Sequence, residues 1–313
     1  MQHKERCKSL VNYLKPILIA VFKKYSSINF FDSIRSLRES PKKFFNCVFA
    51  KFSMNNFYVL LGFPMKLLTN IIDAVYRLWF YVLIAIATIV LFPFLFVFTI
   101  KESYYRQFYV IARIWGGIII YGMGFFPKVK RLEKLKKGKS YMFVANHSSM
   151  ADIMLMYCAL RTPFVFIGKK ELAKMPLFGF FYKRSSILVD RSDMRSRNAV
   201  FKEAQRRFDQ GNSICLFPEG GVPKNSDLVL DRFKDGAFRM AIDHQIPVVP
   251  LVFYDNKTHF PYHFGQLGKP GRLRVKILPP ISTRGLDVRK DKKELREKVR
   301  RRIYEAITHP EKF

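Results

Sequence analysis

Acidic residues are scarce in this 313-residue chain: 24 Asp and Glu stand against 55 Lys and Arg, a formal net charge of +31. Cysteine is scarcer still. The four, Cys7, Cys47, Cys158 and Cys215, are far apart and never spaced as CxxC. That excludes a small disulfide scaffold, offers no close ligand pair for zinc, and reads as reduced packing residues in a cytosolic setting. With only 16 Gly and 16 Pro, collagen-like chains are excluded as well. Long uncharged runs are nearly absent, which excludes a polytopic transporter. What is present in quantity is aromatic: 32 Phe, and 16 % Phe, Trp and Tyr together, far too many for a disordered basic tail. The remaining class is a folded protein that meets something anionic, whether nucleic acid, an acidic membrane surface, or an acidic protein or substrate.

Three regions follow from the patterning. Residues 1–64 are a basic, Phe-rich extension, with PKKFFNCVFAKF at 41–52, for which no packed core is expected. No secretory signal is visible there. Met65 opens MKLLTNIIDAVYRLWF, itself a sensible amino terminus, so a misassigned start is an open alternative. Residues 65–127 read as a membrane-anchoring segment. Its centre, Leu78 to Ile100, carries 23 residues without a charge, enough helix to cross the hydrocarbon. Trp79 and Tyr81 sit at one edge, and Pro93 is expected to kink the helix or mark a re-entrant turn. The Gly-broken stretch Ile114–Pro127 is expected to dip into one leaflet. Lys66 and Arg77 on one side roughly balance Lys101, Arg106 and Arg113 on the other, so loop charge leaves the topology open.

From Lys128 a solvated basic stretch gives way to short apolar runs alternating with helical patterns. Strands are expected at 141–145, 164–168, 186–190, 213–217, 247–253 and 273–278. Helices are expected at 148–160, 196–210, 235–244 and 291–307, the last with Leu295, Val299, Ile303 and Ile307 on one face. The pattern predicts an α/β sandwich of a largely parallel sheet flanked by helices, with an N-terminal membrane helix.

Four blocks carry chemistry. The first is NHSSMAD, where His147 directly follows a strand and Asp152 lies in the first turn of the next helix. A carboxylate there can reach back to one imidazole nitrogen and fix the tautomer, leaving the other nitrogen to remove a proton from a bound hydroxyl. The second runs from Lys169-Lys170-Glu171-Leu172 through Pro176 and Gly179 to Asp190-Arg191. The third is Phe217-Pro218-Glu219-Gly220-Gly221 with FKDGAF at 233–238, a tight turn exposing backbone amides after a buried strand. The fourth is the apolar strand around Pro250. His3, His244, His259, His263 and His309 lack an Asp at the spacing of the first block and read as structural or surface residues. A serine-hydrolase elbow, a Walker A loop and a dinucleotide fingerprint are missing.

In this order and context the four blocks resemble the glycerophospholipid acyltransferase family, most of all the 1-acyl-sn-glycerol-3-phosphate acyltransferases, over roughly Leu78 to Ile307. The resemblance implies acyl transfer from acyl-CoA or acyl carrier protein to the sn-2 hydroxyl of lysophosphatidic acid, giving phosphatidic acid. His147 would be the general base, oriented by Asp152. Lys169, Arg191, Glu219, Gly220, Gly221, Lys224 and Pro250 would bind substrate, with no metal and no cofactor. One departure stands out. The family's usual third block continues Gly-Thr-Arg, whereas here Gly221 and Val222 stand for the Thr and the phosphate-holding Arg. Lys169, Arg191, Lys224 and Arg184 are the candidates to carry that charge. A bacterial branch with Phe-Pro-Glu-Gly-Gly shares the pattern, which places the expected enzyme on the cytoplasmic face of a bacterial inner membrane. Its expected partners are lysophosphatidic acid, the acyl donor and an anionic membrane surface. The alternatives are an acyltransferase of the same fold acting on another lysolipid, such as a lyso-aminolipid, and a membrane-associated nucleic-acid binder. The apolar run and the lack of any nucleic-acid motif argue against the last.

Overall fold

The computed structural model describes residues 41–175, 178–190, 192–223 and 228–313, with side chains from Lys66 onward apart from Arg197 and Lys312. Contacts divide the chain into two units, Met1–Leu68 and Thr69–Phe313. Of the first, the backbone from Pro41 is helical and belongs to α1 (Pro41–Ile100).

The second unit is built around seven strands: β1 (Phe125–Arg131), β2 (Met142–Ala145), β3 (Phe164–Lys169), β4 (Ser186–Val189), β5 (Ser213–Leu216), β6 (Val248–Phe253) and β7 (Gly271–Ile277). They lie in the order β1-β7-β6-β2-β5-β3-β4, with every pairing parallel except β6 with β7. The expected largely parallel α/β architecture is therefore observed. The central strands are covered on both faces, which is why MFVA of β2 is buried at all four positions and reads as a continuous apolar run.

The covering helices are α2 (Tyr105–Gly122), α3 (Ala151–Ala159), α4 (Phe178–Ser185), α5 (Met194–Asp209), α6 (Gly236–Asp243), the single turn α7 (Asn256–His259) and α8 (Val288–Thr308). Asp193 caps α5 by accepting from the N–H groups of Arg195 at 2.9 Å and Ser196 at 3.2 Å. Asp287 does the same for α8 with Arg289 and Lys290. Helix α8 buries Leu295, Val299 and Ile303, the face expected from their spacing. Cys215 is buried in β5, and burial raises its thiol pKa and pushes that of Cys158 up to about 11, as inert packing residues require.

Two segments differ from expectation. The stretch 114–127 does not stand apart from the fold: it is the second half of α2 and the start of β1. Trp115, Ile119 and Ile120 of α2 are buried, and α2 packs on α3. Burying each such side chain contributes about 1.5–3 kcal/mol, enough to hold the segment on the core. Strand β1 pairs with β7 over seven residues, the last four of them, from Lys128, in the stretch read as solvated. It is an edge strand with only Phe125 fully inward, and its Lys and Arg residues hide the strand pattern while blunting the edge.

Within this unit α1 is two-faced. Phe80, Leu83, Ala87, Leu91 and Leu95, spaced three or four apart, are buried. Ile71, Val75, Leu78, Ile86, Ile89, Val90, Phe94 and Val97 are exposed. The segment Lys66–Ile100 is long and apolar enough to cross a membrane, and the helix is continuous through Pro93. Polar bonds pin it: Trp115 Nε1 donates to Thr88 Oγ1 at 3.1 Å, Tyr76 Oη to the Met123 carbonyl at 2.8 Å and Trp79 Nε1 to the Gly122 carbonyl at 3.0 Å. Arg77, read from sequence as a flanking charge, is instead held by Asp73 at 2.9 Å and by the carbonyls of Pro261 and His263.

Candidate active site

Strand β2 lies between β6 and β5, and the chain leaves it for β3 on the β5 side and later returns to it through β6. Ligands of open parallel sheets sit where the carboxyl ends of strands meet at such a point. Three turns converge there: Asn146–Met150 after β2, Phe217–Gly221 after β5 and Tyr254–Asn256 after β6.

Asn146 ties two of them. Its Nδ2 donates to the Phe253 carbonyl at 2.9 Å and its Oδ1 accepts from Phe253 N–H at 2.8 Å. His147 then projects from the turn with Nδ1 2.7 Å from Asp152 Oδ2. That carboxylate oxygen also accepts from the N–H groups of Ser148 at 2.7 Å and Ser149 at 3.0 Å, so Asp152 closes the turn and opens α3 at once. Its other oxygen accepts from Asn256 Nδ2 at 2.5 Å. Asp152 and Asn256 are fully buried, while the His147 side chain is 17 % exposed. The imidazole lies flat on the Phe217 ring, centroids 4.2 Å apart and planes 18° from parallel. With Nδ1 occupied, Nε2 has no hydrogen-bond partner among the described residues, and the ring lines a cavity.

Glu219 braces the same turn. Its Oε1 accepts from His147 N–H at 2.7 Å and its Oε2 from Asp231 N–H at 3.0 Å. Burial pushes its pKa up, and those two N–H groups oppose the rise.

The cavity measures about 690 Å³. Its polar lining includes His147, Thr88, Ser186, Lys169, Lys234 and Asp235 beside Gly220 and Gly221, while Leu95, Phe108, Ala112, Trp115 and Phe181 supply apolar wall from α1, α2 and α4. Gly220 adopts φ +85°, the left-handed region that glycine reaches at little cost.

The residues singled out in the sequence fare differently. His147 and Asp152 are bonded to each other, and Lys169, Gly220 and Gly221 line the cavity beside His147. Glu219 points its carboxylate at backbone. Pro250 lies buried within β6, opposite Val144, with its carbonyl accepting from Leu278 N–H. Arg184 stands away from the cavity, stacked on Phe180 at 3.7 Å. Arg191, Lys224 and Pro176 lie outside the described residues, as does His3. His259 and His263 sit against the carbonyls of Lys269 and Pro223. Two cavity or relay residues escaped the sequence reading. Asn256 stands 104 positions from Asp152 with no local pattern to mark it. Lys234 lies within FKDGAF, and only the fold brings it to the cavity wall.

Residues 127–254, which hold the His147 turn, the Glu219 turn and β2 through β6, match the Acyltransferase family model. A 1-acyl-sn-glycerol-3-phosphate acyltransferase of Saccharomyces cerevisiae is 31 % identical over 202 residues, 64 % of this chain and 65 % of the relative. An uncharacterized acyltransferase of Schizosaccharomyces pombe is 31 % identical over 56 % of this chain and 64 % of its own length. The chain thus spans just under two thirds of these fungal relatives. A Haemophilus influenzae 1-acyl-sn-glycerol-3-phosphate acyltransferase is 28 % identical over 56 % of this chain and 72 % of its own. The crystal structure of the 1-acyl-sn-glycerophosphate acyltransferase of Thermotoga maritima superposes with a TM-score of 0.65 at 20 % identity, covering 78 % of this chain and 98 % of that one, a likeness of fold.

Proposed function

We propose that this protein transfers an acyl chain from a thioester, acyl-CoA or acyl carrier protein, to the sn-2 hydroxyl of 1-acyl-sn-glycerol 3-phosphate at a membrane surface. The observation that carries the reading is the buried Asn256–Asp152–His147 chain, ending in an imidazole nitrogen free to meet a hydroxyl at the wall of a largely apolar cavity. The names of the relatives supply the acceptor.

In this reaction Nε2 of His147 takes the hydroxyl proton as the oxygen attacks the thioester carbonyl. The C–O bond forms, the C–S bond breaks, and the imidazolium returns its proton to the departing thiolate. Asp152 holds the tautomer and stabilises the transient positive charge. Backbone amides of the second or third block supply the oxyanion donors. The apolar wall receives an acyl chain, and Lys169 attracts the phosphate, with Arg191 and Lys224 as further candidates. The exposed apolar face of α1 rests in lipid, and the excess of 31 positive charges favours an anionic bilayer on the cytoplasmic side, at about 1 kcal/mol per basic residue close to the surface.

The test supplies purified protein with lysophosphatidic acid and acyl-CoA or acyl carrier protein in turn and detects phosphatidic acid by mass. Acylation of a lyso-aminolipid with none of lysophosphatidic acid would overturn the acceptor assignment and keep the chemistry.

A further inference from the structure

The third block of this chain lacks the guanidinium that the resemblance expects, because Val222 occupies that place. Val222 lines the cavity all the same, so an apolar side chain stands where the charge should be. The structure assigns the missing charge to Lys234: we propose that its ammonium binds the phosphate monoester of the acceptor and so selects phosphate-bearing lysolipids. This deepens the function proposed above and rests on it.

Four observations carry the assignment. Lys234 lines the same cavity as His147, so its charge and the proposed base face one space. Its backbone N–H donates to the Pro218 carbonyl at 2.8 Å, which fixes the residue beside the Phe217–Gly221 turn. Its side chain then lies across the bare Cα of Gly220: a Cβ built there would meet Nζ at 2.5 Å and Cε at 2.8 Å. Glycine at 220 thus serves two needs, the φ of +85° and room for the lysine stem. Finally, Lys234 has no ion pair among the described residues. The neighbouring carboxylate, Asp235, is engaged by Lys292 at 3.1 Å and by Arg296 at 2.5 Å. A cation at a cavity wall, with no ion-pair partner among the described residues and poised over a glycine turn, is arranged for an anionic ligand.

Among the described residues, the other cation placed at this cavity is Lys169, at the end of β3. Two lysines act as separate point charges and do not reproduce the planar fork of one arginine. They suit a rotating phosphate monoester dianion, which needs charge more than fixed bidentate geometry.

Donors such as acyl-CoA also carry phosphate, so the experiment separates the two sources. Steady-state kinetics of wild type and Lys234→Met, which keeps an apolar stem, are measured with lysophosphatidic acid, with monoacylglycerol lacking the phosphate, and with varied acyl-CoA at saturating acceptor. A hydrogen bond to a charged group predicts a roughly 10- to 100-fold rise in KM for lysophosphatidic acid. The expected kcat, monoacylglycerol turnover and KM for acyl-CoA stay within about threefold. Lys234→Arg retains the preference for the phosphate-bearing acceptor, and Val222→Arg in the Lys234→Met background restores part of it. An equal loss on both acceptors marks a structural lysine and overturns the proposal. A rise confined to the KM of acyl-CoA moves the ammonium to the donor and overturns it too. If wild type shows no preference for the phosphate, the acceptor assignment falls and this proposal with it. If wild type has the preference and Lys234→Met keeps it, this proposal alone falls.

Discussion

The polar and apolar walls of the cavity come from different kinds of sequence. His147, Lys169, Phe217 and Gly220 sit on, or directly after, the carboxyl ends of β2, β3 and β5, each in a short block that a strand-then-turn pattern marks out. Leu95, Phe108, Ala112, Trp115 and Phe181 lie on three helices that first meet in the folded unit. On the polar wall one atom placed within a few tenths of an ångström decides the chemistry, and backbone hydrogen bonds set that position. On the apolar wall shape decides, and shape is shared over many side chains, so single changes there are expected to tune and not to abolish.

That contrast can be broken from either side. On the polar wall, His147→Ala removes the proposed base, and kcat is expected to fall about a thousandfold with membrane binding intact. Retention of more than a few per cent of activity in a coupled thiol-release assay would undo the assignment. Asn256→Ala tests the buried end of the relay. It removes the 2.5 Å bond to Asp152, and a loss of roughly 10- to 100-fold in kcat is expected with KM little changed. Asn256 Oδ1 is buried with no partner among the described residues, a poor arrangement for stability alone. A drop in thermal midpoint with kcat preserved would make Asn256 a packing residue.

On the apolar wall, Ala112→Phe places a ring in the cavity from α2. Long-chain donors are expected to lose efficiency by several-fold relative to short ones, with kcat for the short donors kept, at an overpacking cost of about 1–3 kcal/mol. The same chain-length profile as wild type would place the acyl chain elsewhere.

Much of this could be read from the chain before folding. All six expected strands occur, within one or two residues of their expected bounds, because each is a short apolar run between turn residues. The His147–Asp152 pair was legible because five positions across a strand-to-helix turn bring the side chains together by local geometry. Strand β1 was not, since its lysines and arginines face solvent at a sheet edge and only Phe125 is fully buried. Helix α2 was half seen: its apolar residues were plain, but their partner, α3, lies beyond β1 and β2. Glu219 stands out in the sequence as a candidate substrate-binding residue, and in the fold its carboxylate braces the His147 turn and faces two N–H groups of the backbone.

By itself the amino-acid sequence determined the chemistry of the turns, the alternation of strand and helix, the apolar character of α1 and the surplus of positive charge, because these depend on neighbours within a few residues. Only the tertiary structure decided that Asn256 reaches Asp152 across 104 positions, that Arg77 is tied to Asp73 and is not a free flanking charge, and that Lys234 lies over Gly220. Those outcomes depend on which strand lies beside which in the sheet, and that order follows from burying the whole core at once, a property no short stretch of the chain contains.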